Sequence, residues 1–89
     1  MTESNTIYLD VRRDDEWEAG HVKGAMHFEL DKLQAGELPD ISKDSEIQTY
    51  CQAGRRAGIA KNILTEAGFS NVTNAGGLDD LKTKGLPVE

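Results

Sequence analysis

The chain has 89 residues, enough for one small domain burying roughly 60–65% of its unfolded surface and too few for a second. A hydrophobic fraction of 37%, with nine glycines, excludes disordered, collagen-like and coiled-coil sequence. A formal net charge of −6 argues against nucleic acid or an anionic membrane surface as partner, because both require basic patches, and no apolar run is long enough to span a bilayer.

The segment from Met1 to Thr6 is polar and acidic, with neither the basic start nor the apolar stretch of a signal peptide. As written the chain reads as cytoplasmic, and as periplasmic if a leader has been trimmed from it. Ile7-Tyr8-Leu9-Asp10-Val11 suits a buried strand, and Asp14 to Ala19 a helical turn ending at Gly20. Trp17 on that turn is expected to plug the small core. Ala25-Met26-His27-Phe28 reads as a second, weaker strand, with His27 part of its packing. Leu30, Leu33 and Leu38 mark a short amphipathic helix running into Gly36 and Pro39, and Ile47 to Tyr50 form the next strand. Between Arg55 and Ala67 the apolar positions Ile59, Ala60, Ile63, Leu64 and Ala67 recur at three- and four-residue spacing, which predicts one buried helical face stopped by Gly68. Asn71 to Asn74 form a last short strand, followed by Gly76-Gly77 and a brief helix through Leu78 and Leu81.

Strands alternating with helices predict the α/β class: one domain over 1–89, a small, mainly parallel sheet with right-handed crossovers and helices on both faces. In such sheets the active site lies at the carboxyl ends of the strands. Cys51, the only cysteine, falls there, at the head of Cys51-Gln52-Ala53-Gly54-Arg55-Arg56-Ala57. Gly54 lets the backbone turn tightly with its N–H groups inward, and the following helix sets its positive end beside the sulfur. Both favour a thiolate nucleophile. One cysteine cannot form an internal disulfide or resolve its own oxidised form within the chain. In an acidic protein, Arg55 and Arg56 make a local positive spot suited to a small anionic substrate.

Several other residues read as structural. Asp10 and Arg12 suggest an ion pair or a stabilised turn at a strand end, and His21, between Gly20 and Val22, a hydrogen-bonding role. Two histidines and one cysteine match no zinc spacing. Gly54 and Gly58 fit neither a P-loop nor a dinucleotide fingerprint. The sequon Asn71-Val72-Thr73 lies in a predicted strand.

Two stretches carry a family resemblance. Leu9-Asp10-Val11-Arg12, Glu16-Trp17 and Gly20-His21-Val22-Lys23-Gly24-Ala25 resemble the N-terminal signature of rhodanese-like domains, DVR…E[YF]xxGHIxGA. Tyr50 to Ala57, Ala67-Gly68-Phe69 and Ala75-Gly76-Gly77 resemble the family's CxxGxRS loop, its AGF segment and its double glycine. The match runs over about 7–81, and the length together with Asn74-Ala75-Gly76-Gly77-Leu78 is most similar to the single-domain phage-shock protein E type. Lys23 stands where GHIPGA has proline, and no aromatic residue follows Gly77; both departures alter packing rather than chemistry.

The resemblance implies a thiosulfate sulfurtransferase working through a persulfide on Cys51. The residues Gln52, Ala53, Gly54, Arg55 and Arg56 would cradle the sulfur anion, with Asp10, Arg12 and His21 in support. The implied partners are thiosulfate as donor and cyanide or a thiol as acceptor. No metal or organic cofactor is implied. An alternative is a persulfide carrier that hands sulfur to a protein partner. Phosphatases and arsenate reductases on the same fold are disfavoured: their loop runs Cys-x5-Arg, whereas Arg56 follows Cys51 after four residues and Ala57 takes the sixth position.

Overall fold

The structure, a computed structural model, describes residues 6–89; the start at 1–5, on which the localisation expectation rests, lies outside the described residues. The element order is β1 (Ile7–Asp10), α1 (Asp14–Ala19), β2 (Met26–His27), α2 (Leu30–Gln34), β3 (Ile47–Cys51), α3 (Arg55–Glu66), β4 (Val72–Gly77) and α4 (Leu78–Thr83). The four strands form one sheet in the order β2-β1-β3-β4, and every pairing is parallel. The chain leaves β1 for β2 on one side and returns to β3 on the other. That reversal opens the crevice of a parallel sheet at the carboxyl ends of β1 and β3, where Asp10 lies opposite Tyr50 and Cys51 follows.

Strand alternation divides the core in two. Leu9, Ile47 and Cys51 point to the face covered by α2 and α3, packing with Val11, Leu30, Leu33, Ala57, Ala60, Leu64 and Phe69. Tyr50, with the partly buried Tyr8, points to the opposite face, against Val22 and Leu81. Helix α3 is anchored at both ends. At its start the buried Thr49 hydroxyl donates to the Ala57 carbonyl at 2.9 Å. At its end Phe69 N–H reaches the Leu64 carbonyl and Gly68 N–H the Thr65 carbonyl, with Gly68 at φ +105°, the paired bonds of a Schellman stop.

Four expectations are corrected. Trp17 does not plug the core, because α1 buries no residue; its ring lies between those of His21 and His27 at centroid distances of 3.5 and 4.6 Å. The buried face of α3 is Ala57, Ala60 and Leu64, with Ile63 and Ala67 partly buried against it, while Ile59 is exposed. Leu38 is exposed and outside α2, which ends at Gln34. Strand β4 runs on from Asn74 to Gly77. One contact was unforeseen: Val22 and Val88 form an antiparallel bridge, with His21 and Glu89 exchanging backbone hydrogen bonds at 3.0 and 2.8 Å.

Candidate active site

The site is built on the turn from β3 into α3. Gly54 sits at φ +98°, in the left-handed region that glycine adopts without strain, and the turn directs two backbone N–H groups at Cys51. Gly54 N–H donates to Sγ at 2.9 Å and Ala57 N–H at 3.4 Å. Cys51 is 1% exposed, so charge on its sulfur is met by amides rather than by bulk water. Helix α3, twelve residues long, starts four positions after Cys51 and adds the positive end of its dipole.

The end of β4 backs this loop. A Cβ on Gly77 would lie 2.1 Å from the Gln52 carbonyl oxygen, so only a residue without one fits there, although its φ of −110° would suit any residue. Gly76, at φ +94°, packs so near Gly54 that a Cβ on the latter would sit 3.4 Å from the Gly76 Cα. Asn74 ties the two segments: its Nδ2 donates to the Gly54 carbonyl at 3.0 Å, and its Oδ1 accepts Gly76 N–H at 2.9 Å. Asp80 closes the turn by accepting Gly77 N–H at 2.8 Å.

The other side of the loop is held by charge. Asp10 and Arg12 are buried and joined through the Arg12 Nε and Nη2 to both carboxylate oxygens, with Nη2–Oδ2 at 2.8 Å; Arg12 backbone N–H donates to Oδ1 at 2.9 Å. The same guanidinium reaches the Gly20 carbonyl at 2.7 Å and Gln52 Oε1 at 3.3 Å, so a strand-end ion pair orients the residue after the nucleophile. Burial works against the Arg12 charge, but the Asp10 carboxylate outweighs it and holds the guanidinium protonated more firmly than usual. Tyr50 is pushed above its ordinary range, mainly by burial, and its oxygen accepts Val22 N–H at 3.0 Å.

Arg56 is not a free cation. Its Nη1 and Nη2 donate to Glu16 Oε1 and Oε2 at 2.7 and 2.9 Å, and Glu16 Oε1 also accepts Arg13 N–H at 3.1 Å. The Arg56 hydrogen bonds are the main reason the Glu16 carboxyl falls to about 2. Arg55 is exposed. His21 Nδ1 lies 2.8 Å from the Trp17 carbonyl and His27 Nε2 2.8 Å from the Arg12 carbonyl, so both rings bond to backbone and stack on Trp17.

The structure thus gathers Cys51, Gln52, Ala53, Gly54 and Arg56 at one sheet end, with Asp10 and Arg12 bracing the loop and His21 bonded to the Trp17 carbonyl on the α1 side. Sequence reasoning assigned no site role to Glu16, Asn74 or Asp80 and gave no physical reason for Gly77. Asp80 left a local signal, an acid three residues after the glycine that starts α4. Glu16 left none, since it lies forty residues from its partner.

These features coincide with known proteins. A sequence profile of the rhodanese-like domain family matches residues 1–84. The chain is 40% identical over 84 residues to the thiosulfate sulfurtransferase PspE of Escherichia coli, covering 88% of this chain and 79% of that protein. It is 32% identical over 98 residues to a tRNA uridine(34) hydroxylase of Staphylococcus epidermidis, covering 97% of this chain and 30% of that longer protein. The crystal structure of the Rhodanese_3-like domain of the Alr3790 protein from Anabaena superposes with a TM-score of 0.84 at 32% identity, covering 94% of this chain and 98% of that one.

Proposed function

The chain belongs to the rhodanese-like domain family and is a sulfurtransferase, and we propose that it takes sulfane sulfur from thiosulfate and passes it to cyanide or a thiol through a persulfide on Cys51. The observation that carries this reading is the pair of N–H donors at 2.9 and 3.4 Å from a buried, solitary thiol. In the first step the Cys51 thiolate attacks the outer sulfur of thiosulfate. The new S–S bond forms as the thiosulfate S–S bond breaks, and sulfite departs with the bonding pair. The negative charge then resides on the outer sulfur of the Cys51 persulfide, beside the loop amides and the start of α3. In the second step the acceptor attacks that sulfur and Cys51 leaves as thiolate, restoring the starting state. No hydroxyl has to be deprotonated, so these steps call for no general base.

Steady-state kinetics with thiosulfate and cyanide tests the proposal. Two half-reactions through one covalent intermediate predict ping-pong behaviour, and Cys51→Ser abolishes turnover. A chain that loads once and then stalls with every small acceptor supports the carrier alternative instead. Thiocyanate release by Cys51→Ser at the wild-type rate would refute both.

A further inference from the structure

Beside the Cys51 loop lies a cleft of about 220 Å³ lined by Val11, Arg13, Glu29, Leu30, Asp31 and Arg56. Three links fix its place. Val11 follows β1 and donates its N–H to the carbonyl of Tyr50, the residue before the nucleophile. Val11 and Leu30 share the apolar cluster that contains Cys51. Arg56 is the second residue of the helix that receives the loop.

The charges of this cleft are sorted by element. Arg13 and Arg56, from the starts of α1 and α3, come together because Glu16 Oε1 accepts both the Arg13 backbone N–H and the Arg56 Nη1. Glu16 occupies two of the five N–H donors of the Arg56 guanidinium, and Asp15 Oδ1 accepts from Arg13 Nε at 3.3 Å, which leaves donors on both guanidinium groups for a ligand. Glu29 and Asp31 come from the start of α2. Glu29 spends one oxygen on Asp14 N–H at 3.0 Å, and the exposed Asp31 side chain makes no hydrogen bond or ion pair among the described residues. A basic side, an acidic side and the apolar Val11 and Leu30 suit a small molecule that bears both charges close together. A dianion would meet the two carboxylates, and a plain cation the two guanidinium groups.

Resting on the sulfurtransferase reading above, we propose that this cleft receives the sulfur acceptor and selects a small zwitterionic thiol of the amino-acid class, its carboxylate toward Arg13 and Arg56 and its ammonium toward Glu29 and Asp31. The acceptor thiolate attacks the outer sulfur of the Cys51 persulfide. An S–S bond forms between acceptor and transferred sulfur as the Cys51 S–S bond breaks, Cys51 leaves as thiolate, and the outer sulfur carries its negative charge into the product persulfide. The sulfane sulfur keeps its oxidation level, so no external oxidant or reductant enters.

The test preloads the protein with thiosulfate and follows discharge of the persulfide by L-cysteine, cysteamine and 3-mercaptopropionate, each rate normalised to thiolate concentration, with cyanide in parallel. L-cysteine is expected to discharge about tenfold faster than either analogue, the scale of one charge-assisted hydrogen bond. The double variant Glu29→Gln, Asp31→Asn lowers the rates for L-cysteine and cysteamine relative to 3-mercaptopropionate. Arg13→Gln, at an exposed position, lowers those for L-cysteine and 3-mercaptopropionate relative to cysteamine. Equal rates for the three thiols, or variants that slow all three alike, overturn the inference. If the protein loads and discharges to cyanide without such a preference, this inference alone fails; if it never loads, the sulfurtransferase reading fails with it.

Discussion

Gly77→Ala subjects the backing of the Cys51 loop to the sharpest test. The new Cβ would start 2.1 Å from the Gln52 carbonyl oxygen and 2.7 Å from its carbon, and both obstructing atoms are backbone. Cβ contacts under 3.0 Å essentially never occur, so the end of β4 and the loop after Cys51 must separate by about 0.9 Å or more. The Gly77 φ of −110° suits alanine, so the cost is steric rather than conformational. Overpacking of this kind costs about 1–3 kcal/mol of stability. A displacement near 1 Å next to the reacting atom lowers turnover by about 100-fold. The assay pairs thiocyanate release with urea unfolding, and Gly85→Ala serves as control. Gly85, unlike Gly77, has a positive φ, +97°, and nothing lies within 4 Å of its would-be Cβ, so that variant carries a conformational cost of about 1 kcal/mol and keeps full turnover. Wild-type turnover and an unshifted unfolding midpoint for Gly77→Ala would refute the account of the double glycine.

Two further predictions concern the bracing contacts and a third the apolar core. Glu16 has a depressed carboxyl, at about 2 against an ordinary 4.5, so its pairing with Arg56 stabilises the fold above pH 4.5 and is lost as pH falls toward 2. The stability difference between wild type and Glu16→Gln, about 1 kcal/mol for a pair still open to solvent, should shrink between pH 5 and about pH 3 in urea unfolding; a constant difference contradicts the assignment. Arg12→Met leaves the Asp10 carboxylate buried and unpaired and frees Gln52, and is expected to cost about 3–5 kcal/mol, measured by chemical denaturation; a loss under about 1 kcal/mol would show that Asp10 finds another partner. Leu64→Ala, on the buried face of the last turn of α3, should cost about 2–5 kcal/mol while the turnover of the folded fraction stays normal; normal stability would mean the site collapses around the missing side chain.

What could be foreseen from sequence was local. Cys51, Gly54 and the start of α3 stand within five residues, so a strand-to-helix turn around a thiol is written in contiguous sequence, as is the Gly68 stop. The periodicity of α3 named Ala60 and Leu64 correctly, yet admitted Ile59 and passed over Ala57, because a large apolar side chain weighs more in a pattern than a small one. Burial followed fit to the sheet instead, where alanine permits close approach. Trp17 was misplaced for a related reason: size suggested the core, but α1 turns no residue inward, and His21 just past α1 and His27 on β2 hold the indole. Glu16 with Arg56, and Gly77 with Gln52, are pairings across 40 and 25 positions, which only the tertiary fold brings together.

Intact mass after incubation with thiosulfate tests the central claim most directly. Wild type gains the mass of one sulfur atom, Cys51→Ser gains none, and cyanide removes the addition with thiocyanate release. No gain on wild type, with Cys51 still open to alkylation, would contradict the persulfide mechanism.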